Sequence, residues 1–130
     1  MTPRVNPFCL AMLLFACSAP LPANDFDHVW SCELRSGRTL DEARAASKDW
    51  LKAAHSMPNG DKLELYIHWP IIAGVNEQQF SWVIRAPSLT YWGTFYDGYH
   101  LDSPAALADE KFAEIATCTG SMMWEMIPVG

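Results

Sequence analysis

The chain has 130 residues and a formal net charge of −6, from 9 basic and 15 acidic side chains. The basic residues are scattered rather than clustered, which argues against nucleic acid and against anionic membrane surfaces as partners. The sequence contains no repeat, no low-complexity tract and no linker rich in Pro or Ser, so it predicts one domain.

Residues 1–23 have the pattern of a secretory signal peptide. Arg4 is the only charged residue before an apolar stretch from Phe8 to Cys17, and small residues follow up to Ala23. That stretch of about ten residues is well short of the roughly 20 that a membrane-spanning helix needs. We therefore expect cleavage after Ala23, no stable membrane span, and export of residues 24–130 to the periplasm or the medium.

An alternative interpretation treats Leu14 to Cys17 as a lipoprotein processing site. The exported protein would then be anchored to a membrane by a lipid on Cys17. Phe15 argues against this interpretation, because a small or β-branched residue is usual at its position.

Cysteine usage agrees with export. Cys9 and Cys17 leave with the signal peptide, so Cys32 and Cys118 are the thiols of the mature chain. In an oxidising compartment these two thiols most simply form one disulfide. The alternative is a pair of unpaired buried thiols.

Along the mature chain, segments whose apolar residues recur with a period of two, which is typical of strands, alternate with segments whose apolar residues have helical spacing. A capping box at Thr39 and Glu42 marks the start of the first helix. The predicted elements, in chain order, are a strand at about 27–34, a helix at about 40–55, strands at about 62–69 and 80–86, a short helix between Ser88 and Gly98, a helix that begins at Ser103 and Pro104, and a strand at about 118–127.

This order, βαββαβ with one additional short helix, predicts a ferredoxin-like α+β domain over residues 24–130. Such a domain has a four-stranded antiparallel sheet with its helices on one face. Its first and last strands are neighbours, so Cys32 and Cys118 are expected side by side on the apolar face, within disulfide reach.

In length, element order and the broken helix after the third strand, residues 27–127 resemble the dimeric α+β barrel superfamily, which includes the antibiotic-biosynthesis monooxygenase-like domains. The resemblance implies a homodimer with sheets packed face to face, and in many members a small molecule or haem held between sheet and helices. The chain is also similar to small exported bacterial proteins that share its Trp30-x-Cys32 start, its Gly37-x-Thr39 helix entry and its late Cys118. No catalytic motif of a haem-degrading or quinone-forming member is recognisable in the sequence.

The first candidate site is the sheet face away from the helices. There His68 can transfer a proton near neutral pH, close to Arg85 and a carboxylate. A solvated or dimer-facing surface explains the same residues without any activity. Strict alternation places on this face Glu33, Tyr66, His68, Arg85, Met123 and Glu125, and places on the opposite face of the last strand Cys118, Met122, Trp124 and Met126.

The second candidate site is the segment from Tyr91 to His100, in which five of ten residues are aromatic. It can line an apolar pocket between the broken helix and the sheet, with Tyr91, Tyr96 or His100 as a polar anchor. Packing into the core is the competing interpretation, because Leu89, Trp92, Tyr96 and Tyr99 share one helical face. The ligand-binding residues that the sequence predicts are Tyr91, Trp92, Tyr96, His100, His68 and Arg85.

Methionines near the end of the chain raise the question of copper(I), which thioethers bind. On a strand, however, Met122 and Met126 are roughly 13 Å apart and Met123 points to the other face. We therefore expect no metal site and no cofactor.

Signatures of nucleophilic, phosphate-handling or dinucleotide-dependent chemistry are missing from the sequence. The sequence thus predicts an exported, non-catalytic binding or accessory module for a small apolar ligand, most simply a homodimer. The alternative is a cofactor-independent or haem-linked oxygenase-type enzyme of the barrel superfamily. A pocket that holds His68, Arg85 or His100 would favour the enzyme.

Overall fold

The computed structural model describes residues 24–71 and 76–130. The predicted signal peptide, its cleavage site and the alternative lipid anchor at Cys17 lie outside the described residues. Within those two ranges, no helix combines the length and the apolar character that crossing a membrane requires. The elements are β1 (Phe26–Leu34), α1 (Leu40–His55), β2 (Glu64–His68), β3 (Gln79–Ala86), α2 (Leu89–Asp97), α3 (Pro104–Ala113) and β4 (Ala116–Glu125).

The four strands form one antiparallel sheet in the order β2-β3-β1-β4. All three helices contact the same face, which we call the helix face: Trp50 of α1 and Phe112 of α3 pack on Trp82. Trp92 of α2 packs on the neighbouring Trp30. The predicted ferredoxin-like α+β fold is therefore confirmed.

Helix α1 forms as its sequence predicts. The Thr39 hydroxyl accepts a hydrogen bond from the Glu42 backbone N–H at 3.2 Å, and the Glu42 carboxylate accepts one from the Thr39 backbone N–H at 2.8 Å. After the helix the chain turns so closely that a Cβ at Gly60 would overlap the carbonyl oxygen of Ala54. Glycine at position 60 thus lets the loop pack directly onto the end of α1.

Helix α2 presents a different face to the core from the one its spacing predicts. Trp92 and Phe95 are buried, whereas Leu89 and Tyr96 are 59% and 56% exposed. The predicted stripe was wrong for Leu89 and Tyr96, because Trp92 and Phe95, three residues apart, make the core contacts of α2. The helix ends at Asp97 and is capped by Gly98. Tyr99 therefore lies in the following loop and does not extend a helical stripe.

A bulge in β4 reverses the predicted faces of its second half. Cys118 pairs with Cys32 and Thr119 with Ser31, but the next residue of β1, Trp30, pairs with Ser121. Gly120 is the extra residue, and it has a φ of +69°. An inserted residue shifts the alternation by one position.

The sheet face opposite the helices, which we call the open face, therefore carries Met122 and Trp124, which pair with Val29 and Asp27. Met123 pairs with His28 on the helix face. The prediction that Met123 and Glu125 lie on the open face, and Met122 and Trp124 on the other, was wrong for this reason.

The disulfide between Cys32 and Cys118 is present, with 4.0 Å between the Cα atoms. The two residues are directly opposite each other in the β1–β4 ladder. The pairing predicted from the neighbouring first and last strands is thus confirmed, and it fixes edge strand β4 to the centre of the sheet.

Candidate functional site

A cavity of about 350 Å³ lies between the helix face of the sheet and helices α2 and α3. Its inner walls are buried, and its mouth is formed by exposed residues of α2 and α3, among them Tyr96 and Asp109. We call it the aromatic cavity. Its lining residues are Trp30, Trp50, Trp82, Trp92, Tyr96, Tyr99, Asp109, Phe112, Ala113, Ala116 and Cys118.

The indole rings stand at steep angles to one another. The planes of Trp50 and Trp82 are inclined by 82° with ring centroids 5.0 Å apart, and those of Trp30 and Trp82 by 63° at 5.4 Å. Trp92 meets Trp30 at 69° and 6.4 Å. Because edge-to-face contacts hold each ring in a fixed orientation, these side chains form rigid, mutually inclined walls.

Strand alternation explains why two of these rings meet. Trp30 of β1 and Trp82 of β3 are direct partners in the antiparallel ladder, both on the helix face. The N–H of Trp82 donates to the Ser47 hydroxyl at 2.9 Å, and that hydroxyl donates to the Ala43 carbonyl at 2.7 Å. Helix α1 therefore fixes the Trp82 ring through a hydrogen-bonded chain.

Polar groups at the aromatic cavity are few. The Tyr99 hydroxyl donates to Asp109 Oδ2 at 3.0 Å. Desolvation by the surrounding side chains raises the pKa of both groups. The indole N–H of Trp50 is buried and makes no hydrogen bond within 3.5 Å among the described residues, but it lies close enough to the Tyr99 hydroxyl to lower the pKa of that group in part.

His28 lies behind the cavity wall. Its ring stacks on Trp30 and meets the edge of Trp92. Both ring nitrogens are buried without a hydrogen-bond partner in the described part of the chain. Burial lowers the pKa of His28, so the ring is neutral near pH 7.

The aromatic segment that the sequence singles out is divided by the structure. Trp92 and Tyr96 line the cavity. The Tyr91 hydroxyl instead accepts from the Lys62 N–H at 3.0 Å and donates to Asp61 at 2.8 Å, so it fastens the loop between α1 and β2. His100 is exposed and does not line the cavity.

Arg85 and His68 lie on the open face, on the other side of the sheet. Arg85 makes a bidentate ion pair with Asp27, with N–O distances of 2.8 and 2.9 Å. Its guanidinium also lies 5.1 Å from the ring centre of Tyr66. The hydrogen bonds from Arg85 to Asp27 raise the arginine pKa further.

His68 is exposed, and the row of Tyr66 and Val83 separates it from Arg85. It borders a depression of about 610 Å³ that is more open to solvent than the aromatic cavity and includes Ser31, Glu33 and Thr119. His68 and Arg85, which belong to the first candidate site, therefore lie on the opposite face of the sheet from Trp92 and Tyr96, which belong to the second.

Several lining residues were not predicted from the sequence as ligand-binding residues, namely Trp30, Trp50, Trp82, Tyr99, Asp109 and Phe112. The available signal was the Trp content, six in 130 residues. Three of these six tryptophans stand at inward positions of β1, α1 and β3. Over residues 24–71 and 76–130, no three His, Cys, Asp or Glu side chains come together as a metal site would require.

No protein-family model matches the chain, and no curated protein matches it. Among solved structures, the chain is similar to a protein from Bacteroides fragilis, described as dimeric, of unknown function and with a ferredoxin-like fold. The identity is 13% and the TM-score 0.48, over 78% of this chain and 96% of that one. It is also similar to PA3566 from Pseudomonas aeruginosa, with 8% identity and a TM-score of 0.43 over 85% of this chain and 99% of that one.

Proposed function

We propose that residues 24–130 form an exported binding module whose small ligand occupies the aromatic cavity. The observation that carries this proposal is the open space of about 350 Å³ among four indole and two phenol rings. Protein interiors are normally packed to the density of organic crystals, with few voids larger than a water molecule. Aromatic walls with a few polar groups are typical of small-molecule sites.

The chemistry of the cavity favours binding over catalysis. The titratable groups at its wall are Tyr96, Tyr99 and Asp109, and Tyr99 and Asp109 are hydrogen-bonded to each other. The residues that would favour an oxygenase-type enzyme, His68, Arg85 and His100, lie outside the cavity. A positioned proton donor or acceptor must be within hydrogen-bond reach of the reacting atom, and these three groups are not.

The Cys32–Cys118 disulfide supports the exported setting, because such bonds persist mainly in oxidising compartments. The acidic mature chain, with its scattered basic residues, supports a small molecule rather than nucleic acid as the ligand.

A homodimer through the open face belongs to the same proposal. Tyr66, Met122 and Trp124 are 39%, 54% and 54% exposed there, around the central Val29 and Val83. Val83 is buried and Val29 half-buried, so the exposed apolar area comes from the three side chains around them. Exposed apolar side chains grouped on one sheet face are typical of an interface. The aromatic cavity opens on the other side of the sheet, so sheet-to-sheet pairing leaves it accessible.

The test uses N-phenyl-1-naphthylamine, a neutral apolar probe whose fluorescence rises in apolar sites and whose absorption overlaps with indole emission. We expect saturable binding of one probe per chain with energy transfer from tryptophan. Ala113 lines the cavity near its mouth, so Ala113→Phe should weaken binding about tenfold or more, equivalent to 1.4 kcal/mol.

Lys111→Phe is the matched control, because Lys111 is an exposed residue of α3 that does not line the cavity. Binding that does not saturate, or that responds equally to both substitutions, would overturn the proposal. Native mass spectrometry of the exported protein then shows whether a ligand is retained.

A further inference from the structure

The aromatic cavity has an unusual balance of charge. Among the described residues that line it, Asp109 is the one with an ordinarily charged side chain, and its hydrogen-bond partner is the neutral Tyr99. Within the described residues, no Lys or Arg lies within 4.0 Å of the Asp109 carboxylate. The mouth of the cavity therefore carries a carboxylate without a cationic partner.

The aromatic walls of the cavity also attract positive charge. Aromatic faces carry negative electrostatic potential and attract cations that lie within about 6 Å of the ring centre. Neighbouring ring centroids along the wall, from Trp50 through Trp82, Trp30, Trp92 and Tyr96 to Tyr99, are 5.0 to 6.4 Å apart. A compact group that contacts one ring face is therefore within reach of the next.

The steep angles between the indole planes determine which shape of ligand fits. A flat aromatic ligand stacks best between parallel faces, whereas the planes of Trp30 and Trp50 are inclined to that of Trp82 by 63° and 82°. Tyr96 and Tyr99 are nearly parallel, at 11°, but they are stacked on each other. A rounded group fits such a corner better than a flat one does. Several inclined aromatic faces and one carboxylate form the kind of cage that accepts alkylated ammonium groups.

From this arrangement we infer that the ligand of the aromatic cavity is an alkylated ammonium compound, with its cationic head against the indole walls and on the side of Asp109. The inference rests on the proposed function, because it names the chemical class bound at that same site.

The experiment compares choline with 3,3-dimethylbutan-1-ol, which has the same shape and hydroxyl group but a neutral carbon in place of nitrogen. Binding is followed by tryptophan fluorescence and by titration calorimetry on the disulfide-bonded protein. We expect choline to bind about tenfold or more tightly than the alcohol, as expected for contacts of a cation with several ring faces.

Two variants and one control separate the contribution of the ligand's charge to binding from that of its shape. Asp109→Asn should weaken choline binding about fivefold or more and leave the alcohol unaffected, because only the cation uses the charge. The matched control is Glu110→Gln, which removes a neighbouring exposed carboxylate that does not line the cavity and should change neither affinity. Tyr96→Leu, at the exposed mouth, should reduce the preference for choline over the alcohol because it removes one ring face.

Equal or tighter binding of the alcohol would overturn the inference and leave the proposed function standing, because the cavity would still bind a neutral molecule. Absence of binding by choline, by the alcohol and by N-phenyl-1-naphthylamine would overturn both.

Discussion

The imidazole of His28 stacks on the indole of Trp30, with ring centroids 3.6 Å apart and planes inclined by 27°. The two residues are on the same face of β1, and Trp92 meets the imidazole edge-on at 5.5 Å. His28 therefore acts as a neutral aromatic spacer that holds the Trp30 wall of the aromatic cavity. Since its two ring nitrogens are buried without hydrogen bonds to any described residue, charging the ring is unfavourable in the folded state.

The first prediction is that folding stability depends on pH through His28. Burial lowers the pKa of His28 below its unfolded value near 6.5. As pH falls below about 6.5, His28 becomes protonated in the unfolded chain but stays neutral in the folded chain. The free energy of unfolding therefore decreases by up to about 1.4 kcal/mol per pH unit. Urea denaturation at pH 7, 6 and 5 measures this slope.

His28→Phe should remove this part of the slope, and His68→Gln, at an exposed histidine, should retain it. The raised pKa of Asp109 has the opposite sign, since it stabilises the folded state at low pH and this stabilisation is lost as pH rises. Asp109 is present in all three proteins, so its effect cancels in the comparison. Identical slopes for the wild type and His28→Phe would contradict the prediction.

The second prediction contrasts two glycines that both have open space around them. A Cβ at Gly120 or at Gly93 would contact no atom within 4 Å, so only backbone preference distinguishes the two sites. Gly120 has a φ of +69°, and Gly120→Ala should destabilise the protein by about 1 to 2 kcal/mol. Gly93 is inside α2, and Gly93→Ala should stabilise it by about 0.5 to 1 kcal/mol.

Urea denaturation of the two variants and the wild type measures both changes. A neutral Gly120→Ala would indicate that the bulge relaxes without cost, and the register assigned to β4 would then need revision.

Local signals predicted most of the fold. The bounds of α1 follow from its capping box and its buried Trp50, and the alternation in β3 places Phe80, Trp82 and Ile84 inward, as the structure has them. The faces of β4 beyond residue 120 could not be predicted in this way. Gly120 is the bulge residue because it has no partner in β1. Whether a residue of β4 has a partner depends on how the two strands pair, and the sequence of β4 alone does not contain that information.

The aromatic cavity was predicted only in part. Trp92 and Tyr96 come from a segment whose aromatic density is visible in the sequence, but Trp30, Trp50 and Trp82 come from three separated elements. Each of these three has the pattern of an ordinary core residue. Whether their rings close the space or leave it open depends on helix–sheet distances, which spacing along the chain does not determine.

The third prediction concerns the dimer that we propose through the open face. Met123 and Trp124 are neighbours with 55% and 54% exposure, but Trp124 is on the open face and Met123 on the helix face. Trp124→Glu should raise the dimer dissociation constant about 30-fold or more, since buried tryptophans at interfaces commonly contribute 2 kcal/mol. Met123→Glu should leave it unchanged.

Sedimentation equilibrium at micromolar concentration gives both constants. A monomeric wild-type protein, or equal effects of the two substitutions, would exclude the open face as the interface.

The fourth prediction concerns processing and the disulfide. Protein recovered after export should begin at Asn24 and have a mass two hydrogens below its reduced form. Replacing Cys32 and Cys118 with serine should lower the free energy of unfolding by up to about 4 kcal/mol, because the bond closes a loop across 86 residues. Intact-mass measurement and alkylation of the denatured, unreduced protein check the first part, and urea denaturation the second. Two alkylatable thiols, or a lipid on Cys17, would contradict it.

The fifth prediction decides between the two candidate sites of the sequence. Tyr96 is at the mouth of the aromatic cavity, more than half exposed, with its ring stacked on Tyr99 at 5.6 Å. Tyr96→Ala should therefore weaken binding of N-phenyl-1-naphthylamine by about 1 to 3 kcal/mol, the usual range for an aromatic anchor, with little loss of stability. His68→Ala changes a residue on the opposite face of the sheet and should leave the affinity within about twofold of the wild type. Circular dichroism checks that both variants are folded. If His68→Ala has the larger effect, the ligand binds at the open face, in the depression that His68 borders, and the oxygenase-type alternative regains support because an ionisable imidazole would then lie at the site.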